Sequence, residues 1–246
     1  MIVTTEGIVL KSFDFRETSR IATFLTKDFG KVKGVLKGIR KTPGKFGTSL
    51  DRFSVNDIVY YQYRNSDIHL VSQCDMKEFF NGFRQDLKRL TAASYASELL
   101  DTLVMAEEEN QEVYVLMQNF LNSLQTVEDI NKLIHIFQIK ILLLSGFRPH
   151  LDSCVRCQKK IAGQANFSLP WGGLVCASCK PPALGAGSVV SITKGTVASI
   201  MHIEESPWQV VLRLGLSERI KKELKYVLNH FLVFHLERHL RSTKYL

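Results

Sequence analysis

The feature that most constrains the fold is a pair of identical cysteine motifs in the second half of the chain. Cys154 and Cys157 form one C-x2-C motif, Cys176 and Cys179 form a second, and 18 residues separate the two. A two-residue gap lets one tight turn direct both thiolates at a single ion, so two such turns predict a tetrahedral four-thiolate zinc site. Four protein ligands leave no position for water, so we expect this zinc to stabilise the fold rather than to activate a nucleophile.

The alternatives for these four cysteines are a pair of disulfides or four unrelated core residues. The first residues, Met1–Glu6, show neither the basic region nor the apolar region of a secretory signal, and we expect a cytoplasmic protein. A reducing cytoplasm favours metal binding over disulfides. The fifth cysteine, Cys74, lies in an apolar stretch and is expected to be a small buried side chain.

The distribution of charge is more informative than its total. The chain has 32 basic and 24 acidic residues and a formal net charge of +8. Residues 1–52 carry a net charge of +6, residues 213–246 carry +5, and the middle of the chain carries −3. Basic ends favour a polyanionic partner such as nucleic acid, but an ordinary solvated surface has the same composition.

Residues 4–76 contain five short segments rich in β-branched and aromatic residues, with turn signals between them. They cover residues 7–10, 21–25, 31–36, 57–63 and 68–73. Five short strands predict a small closed barrel, of which the OB-fold is the commonest that binds nucleic acid. The fold alone does not establish that function.

One stretch within this predicted barrel is strongly cationic. Between Lys31 and Leu50 there are six basic residues and no acidic residue, interleaved with glycines. Such a loop can follow a phosphate backbone, and nearby aromatic side chains can stack on bases. The aromatic candidates are Phe46, Phe53, Tyr60, Tyr61 and Tyr63. The alternative is that these rings fill the barrel core, which we expect of Phe53 and Tyr60.

After residue 78 the apolar periodicity becomes helical. Helices are predicted over residues 87–103, 113–124 and 130–144, then from about 193 to 202, with a long final helix after Ser217. The expected fold class is therefore α+β: an N-terminal OB-fold β-barrel and a C-terminal α-helical domain with an inserted four-cysteine zinc module. The predicted domains are residues 1–80 for DNA binding, 81–150 with 181–246 for the helices, and 151–180 for zinc.

No catalytic motif is found in the sequence. Residues 38–45 resemble a phosphate-binding ATPase loop, but five residues separate the two glycines instead of four, and Phe46 replaces the required hydroxyl. No G-x-S-x-G nucleophile motif is present, and the acids of the first 75 residues are scattered. We therefore expect a protein that is not an enzyme and does not use a nucleotide.

Taken together, the motifs resemble the RecO family of bacterial recombination mediators over nearly the full length of the chain. The matching segments are residues 7–11, 15–21, 29–31, 38–41, 45–47 with Leu50, 144–157, 172–179 and 240–246. Their order and spacing, rather than any one of them, carry the resemblance. One departure is Gln158, where the family often has glycine after the second cysteine.

The resemblance implies binding of single- and double-stranded DNA and annealing of complementary strands. It also implies work with RecR to load RecA onto strands coated by single-stranded-DNA-binding protein, whose C-terminal tail is a further expected contact. We expect the DNA-binding residues to be nine cations: Lys11, Arg16, Arg20, Lys31, Lys33, Lys37, Arg40, Lys41 and Lys45. Two alternatives stay open: Arg16 and Arg20 can instead pair with Glu17 or Asp14, and the protein can instead be a zinc-containing adaptor that acts through protein contacts.

Overall fold

The computed structural model describes residues 1–106, 108–161, 165–180, 188–236 and 240–245. The chain divides into two compact units, one formed by Met1–Glu128 with Lys244–Leu246 and the other by Asp129–Thr243. The three domain ranges expected from the sequence stay a prediction. The prolines and glycines of residues 180–187 predict a linker, and residues 181–187 lie outside the described residues.

Five strands of the first unit form a closed barrel in the order β1-β2-β3-β5-β4. The strands are β1 (Ile2–Phe15), β2 (Ser19–Thr26), β3 (Lys31–Leu36), β4 (Val55–Tyr61) and β5 (His69–Glu78). Strand β1 pairs with β4 through its first half, Ile2–Ile8, and with β2 through its second half, Gly7–Phe15. Strand β3 closes the barrel by a short parallel pairing with β5. The expected OB-fold barrel is confirmed.

Alternation along these strands builds the barrel core. Val9, Phe24, Val32, Ile58 and Val71 are all buried, and each comes from a different strand. Side chains alternate between the two faces of a strand, and the neighbours of Val9 and Phe24, which point to the other face, are buried as well. The expected burial of Cys74 is confirmed, since its side chain is fully buried in this core.

Two helices complete the first unit: α1 (Leu87–Leu103) and α2 (Gln111–Leu124). The side chain of Asp86 accepts hydrogen bonds from the backbone N–H groups of Lys88 and Arg89 at the start of α1, which satisfies donors that a helix leaves unpaired. Helix α1 lies against β1, where the hydroxyl of Ser97 donates to the carbonyl of Leu10. The outer face of β1 is therefore partly covered by α1.

The described part of the second unit holds four α-helices and a small sheet. The helices are α3 (Ile130–Leu144), α4 (Lys194–Glu205), α5 (Trp208–Val211) and α6 (Glu218–Leu236). The sheet has the antiparallel order β7-β6-β8, with β6 (Ala165–Ser168), β7 (Gly173–Val175) and β8 (Val189–Ile192). Ser217 accepts a hydrogen bond from the backbone of Ile220, as expected for the residue that caps α6. Among the described helices, none combines the length and apolar character needed to cross a bilayer.

Candidate nucleic-acid surface and metal centre

The segment that joins β3 to β4, residues 37–54, carries four of the nine predicted cations, and its apolar residues anchor it. Ile39, Phe46 and Leu50 are buried in the barrel core. We call residues 37–50 the cationic loop. Its charged side chains between these anchors are exposed. Because three of its side chains are fixed in the core, the loop holds its cations on a defined surface.

Two glycines allow the backbone of the cationic loop to take this path. Gly38 has a φ of +79°, a left-handed conformation that glycine adopts without steric cost. Gly47 lies against β5, where an added Cβ would come within 2.4 Å of the Asp75 carboxylate. Glycine at position 38 therefore suits the left-handed backbone, and a larger residue at position 47 would displace the Asp75 side chain.

Asp14 binds two of the predicted cations at one end of the cationic loop. Its carboxylate lies 2.9 Å from Nε of Arg20 and 3.5 Å from Nε of Arg40. Arg20 also donates to the carbonyl of Ser49, and Arg40 donates to the carbonyl of Arg16. Of the pairings left open by the sequence, that between Arg20 and Asp14 is therefore present.

Asp101 on α1 binds two more of the predicted cations. Its carboxylate lies 2.8 Å from Nζ of Lys11 and 3.1 Å from Nζ of Lys31. Burial alone raises the pKa of Asp101, but hydrogen bonds and positive charge from the two lysines outweigh burial and hold that pKa below its usual range. The Lys31 side chain is only 10% exposed, so it serves the packing of α1 on the barrel more than it serves an outside ligand.

The other five predicted cations are exposed, and none has an acidic partner among the described residues. They are Arg16, Lys33, Lys37, Lys41 and Lys45. Lys45 donates to the carbonyl of Lys37, which keeps its charge within the cationic loop. A concentration of cations without paired acids gives this side of the barrel a positive field that attracts polyanions.

The aromatic candidates for base stacking are divided by the structure into two sets. Phe46, Phe53 and Tyr60 are buried, with exposed fractions of 5% or less. The suggestion that Phe46 stacks on bases is therefore wrong, because that ring fills the core. Tyr61 and Tyr63, at the end of β4 and just beyond it, remain exposed.

Replacing Asp14 with asparagine tests whether this acid limits the positive surface. The variant Asp14→Asn is expected to bind a single-stranded oligonucleotide several-fold more tightly at low salt, because Arg20 and Arg40 become available to phosphates. The slope of log affinity against log salt should steepen by about 0.7 for each additional phosphate that the protein neutralises. Fluorescence anisotropy over a salt series measures both quantities.

The matched control for this variant is Asp57→Asn, which removes one exposed acid from β4 of the same unit. Exposed ion pairs contribute only about 0–1 kcal/mol to stability, so neither variant should unfold. An equal rise in affinity in both variants would indicate a general effect of net charge. A fall in affinity in Asp14→Asn would contradict the prediction.

The four cysteines of the two C-x2-C motifs come together in the second unit. Their sulfur atoms all lie within 4.8 Å of one another. The Sγ atoms of Cys157 and Cys176 are 3.8 Å apart. A tetrahedron with metal–sulfur bonds of about 2.3 Å has edges of about 3.8 Å, so the cluster has the dimensions that bind a metal ion. All five cysteines lie in the described residues, and none forms a disulfide.

The electrostatics of the cluster also suit a cation. Burial alone raises the pKa of Cys154, but backbone N–H groups of Cys157, Cys176 and Arg156 hydrogen-bond to its sulfur and lower its pKa to about 6. Hydrogen bonds with the thiols of Cys176 and Cys157 raise the pKa of Cys179 to about 12. Four neighbouring thiols therefore resist ionising together, and a divalent cation removes that resistance.

Backbone pairing holds the two cysteine motifs beside each other. The backbone N–H of Leu174 in β7 donates to the carbonyl of His150, and the carbonyl of Leu174 accepts from the N–H of Val155. These two hydrogen bonds join the segment around the first cysteine motif to β7. The second motif follows β7 directly. Gln158, the departure from the family pattern, has a φ of +58°, a conformation in which glycine is favoured. The cysteine cluster is nevertheless complete.

The fold and the cysteine cluster define a class of protein: an OB-fold barrel joined to a helical unit that carries four cysteines with the dimensions of a metal site. Family models place the chain within this class more narrowly. The model described as "Recombination protein O N terminal" matches residues 1–80, and the model described as "Recombination protein O C terminal" matches residues 84–244. The chain belongs to the RecO family of DNA repair proteins.

Similar proteins agree with this assignment over nearly the whole chain. The DNA repair protein RecO of Moorella thermoacetica is 31% identical over 243 residues, covering 98% of this chain and 89% of the relative. The DNA repair protein RecO of Desulforamulus reducens is 30% identical over 246 residues, covering 100% of this chain and 94% of the relative. The protein of that name from Alkaliphilus metalliredigens is 29% identical over 97% of this chain and 95% of its own length.

Proposed function

We propose that this protein is a recombination mediator that binds single- and double-stranded DNA and anneals complementary strands. The observation that carries the proposal is a set of five exposed cations without an acidic partner among the described residues. Lys37, Lys41 and Lys45 lie in the cationic loop, and Arg16 and Lys33 lie outside it. Membership of the RecO family supports a role in DNA repair and recombination. The proposed contacts are the nine cations predicted from the sequence.

The nine cations fall into three groups with different expected shares of the binding energy. The exposed, unpaired cations supply most of the phosphate contacts. Arg20 and Arg40 contribute once their pairing with Asp14 is exchanged for a phosphate. Lys11 and Lys31, which are held by Asp101, contribute least, because transferring them to DNA breaks packing between α1 and the barrel.

The annealing activity follows from neutralising charge. Two single strands repel each other through their phosphates, and their counterions must be displaced before the strands approach. A surface with several unpaired cations neutralises part of both strands, which lowers the repulsion and leaves base pairing to select the partner. This chemistry consumes no nucleotide, in agreement with the absence of an ATPase motif from the sequence.

The metal that we propose for the cysteine cluster is zinc, held by Cys154, Cys157, Cys176 and Cys179. Four thiolates satisfy the tetrahedral preference of this ion and leave no position for substrate. Zinc therefore supplies stability to the second unit by linking residues on both sides of β6 and β7. The cations proposed for DNA lie in the other unit, so the metal is not needed for the phosphate contacts themselves.

The protein partners that we propose follow from the resemblance to the family. They are RecR, the C-terminal tail of single-stranded-DNA-binding protein, and indirectly RecA, which is loaded onto the coated strand. A mediator of this kind needs one surface for DNA and a separate one for protein. We propose that the cationic loop binds DNA and that the helical second unit binds the protein partner.

Strand annealing by the purified protein without nucleotide tests the proposal. Two complementary oligonucleotides, one carrying a donor dye and the other an acceptor dye, should anneal at least about tenfold faster with the protein than without it. The same acceleration is expected when both strands are first coated with single-stranded-DNA-binding protein. Failure to retain bare oligonucleotide at low salt would instead favour the adaptor hypothesis.

A further inference from the structure

Two exposed tyrosines lie outside the cationic loop, at the end of β4 and at the start of the segment that leads to β5. Tyr61 is 41% exposed and Tyr63 is 47% exposed. Exposed aromatic rings beside cations are the usual platform on which single-stranded nucleic acids stack their bases. Of the two, Tyr63 has the surroundings that such a platform requires.

Hydrogen bonds to two other segments of the chain hold the backbone at Tyr63 and at the residue before it. The N–H group of Tyr63 donates to Nδ1 of His69, which is buried and stacks on Tyr60 with ring centroids 5.4 Å apart. The preceding residue, Gln62, exchanges hydrogen bonds with Met1, and the N–H of Gln62 lies 2.9 Å from the carbonyl of Met1. Because this backbone is already held in place, little conformational entropy is lost when a ligand stacks on the Tyr63 ring.

Tyr63 borders two recesses on the protein surface. One has a volume of about 500 Å³ and is lined by Lys33, Tyr63, Arg64, Asn65 and Asp67 among others. The other, of about 400 Å³, is lined by Met1, Gln62, Tyr63 and Arg64. A planar base that enters either recess therefore meets the Tyr63 ring.

The charge of the larger recess favours a phosphate. Lys33 and Arg64 are exposed, and neither has an acidic partner among the described residues. Lys31 also lines this recess, but Asp101 neutralises it. Among the described residues that line the recess, Asp67 is the one acid, against the exposed cations Lys33 and Arg64.

Strand β3 connects the recess to the cationic loop. Lys33 lies within β3, and Lys37 follows the end of that strand. Four residues of extended chain span about 13 Å, so Lys33 connects the recess to the first cation of the loop. A DNA strand that contacts Lys37 of the loop can therefore extend along β3 to Lys33 and the recess that Tyr63 lines.

We propose that Tyr63, with Lys33 and Arg64, forms a base-stacking subsite for single-stranded nucleic acid. The ring stacks on one unpaired base, and the two cations contact the adjoining phosphates. Bases of a duplex are stacked on each other and paired, so they do not present a free face to Tyr63. This subsite rests on the proposed function and adds to it a preference for single strands over duplex.

The test compares Tyr63→Ala with Tyr63→Phe, which keeps the ring. On a single-stranded thymine oligonucleotide, Tyr63→Ala should weaken binding about thirtyfold, the middle of the range for one stacked base, while Tyr63→Phe binds like the original protein. The salt slope should stay unchanged in Tyr63→Ala, because the same phosphates remain neutralised. The double variant Lys33→Glu, Arg64→Glu should instead flatten that slope by about 1.4.

An abasic strand of the same length is the control for stacking. It keeps the phosphates and removes the bases, so Tyr63→Ala and the original protein should bind it equally. Equal binding of the thymine strand by both would overturn the subsite alone, as would an equal loss on thymine and abasic strands. Failure of the original protein to bind either strand at low salt would overturn the proposed function, and the subsite with it. Thermal unfolding checks that the variants are folded.

Discussion

The double variant Lys37→Glu, Lys41→Glu is expected to lose most of the affinity of this protein for single-stranded DNA. Both lysines are exposed on the cationic loop and neither has an acidic partner among the described residues, so both charges are free to contact phosphates. Reversing them removes two phosphate-binding charges and adds repulsion. At about 0.1 M salt we expect at least a tenfold loss, and the salt slope should flatten by about 1.4.

The matched control for this variant is Lys27→Glu, Lys88→Glu. It makes the same change in net charge in the same unit, on two exposed lysines that lie in the turn after β2 and in the first turn of α1. This control should keep the salt slope of the original protein. An equal loss of affinity and slope in both double variants would show that net charge alone governs binding. Unchanged binding by Lys37→Glu, Lys41→Glu would exclude the cationic loop as the site.

Removing one metal ligand is expected to have the largest effect on stability. Cys157 is the exposed member of the cluster, so Cys157→Ser costs little packing and reports mainly the loss of metal. Structural zinc sites in small peptides contribute about 10–16 kcal/mol of apparent binding free energy. Even a loss of about 4 kcal/mol lowers the melting temperature of a chain of this size by about 10 °C. We expect at least that fall for the second unit, measured by thermal unfolding.

Three measurements identify metal loss as the cause. A chelator should lower the melting temperature of the original protein by about as much and leave Cys157→Ser unaffected. Substitution of the exposed neighbour, Lys159→Ser, should change neither metal content nor melting temperature. Absorption of the cobalt-substituted protein should show four thiolate ligands in the original chain. Full metal content in Cys157→Ser, with an unchanged melting temperature, would contradict a four-cysteine site.

This variant also separates stability from DNA binding. The proposed phosphate contacts lie in the first unit, whereas the cysteine cluster lies in the second. Below its melting temperature, Cys157→Ser is therefore expected to bind single-stranded DNA with the original salt slope. Loss of DNA binding with both units folded would indicate that the metal module itself contacts the strand.

Features that depend on neighbours in sequence were predicted closely. The bounds expected for α3, residues 130–144, are those observed, and the apolar positions expected of α1, from Leu87 to Leu103, all lie in the observed helix. Both agree because a helix pairs its backbone within itself and its apolar period is local. The two C-x2-C motifs also predicted the cysteine cluster, because the two cysteines of each motif are brought together by a single local turn. Strand β3 was likewise predicted at its observed bounds.

Features that depend on partners distant in sequence were predicted less well. Strand β1 was expected over residues 7–10 but spans Ile2–Phe15, because its ends are held by pairing with β2 and β4 rather than by their own composition. The sheet β6–β7–β8 and the short helix α5 were missed. Their segments of three or four residues are too short for a periodic pattern to appear.

By itself, the sequence determined three features: the barrel followed by helices, the cysteines that form the cluster and the location of the positive charge. Each of these depends on the spacing or composition of residues that are close in sequence. Only the tertiary structure decided which cations are free. Asp101, which binds Lys11, lies 90 residues from it, and no local pattern connects the two. The same holds for Phe46 and Tyr63, one ring turned into the core and the other left on the surface. Ion pairing and burial of a side chain depend on which distant residues lie next to it, and only the folded structure determines those neighbours.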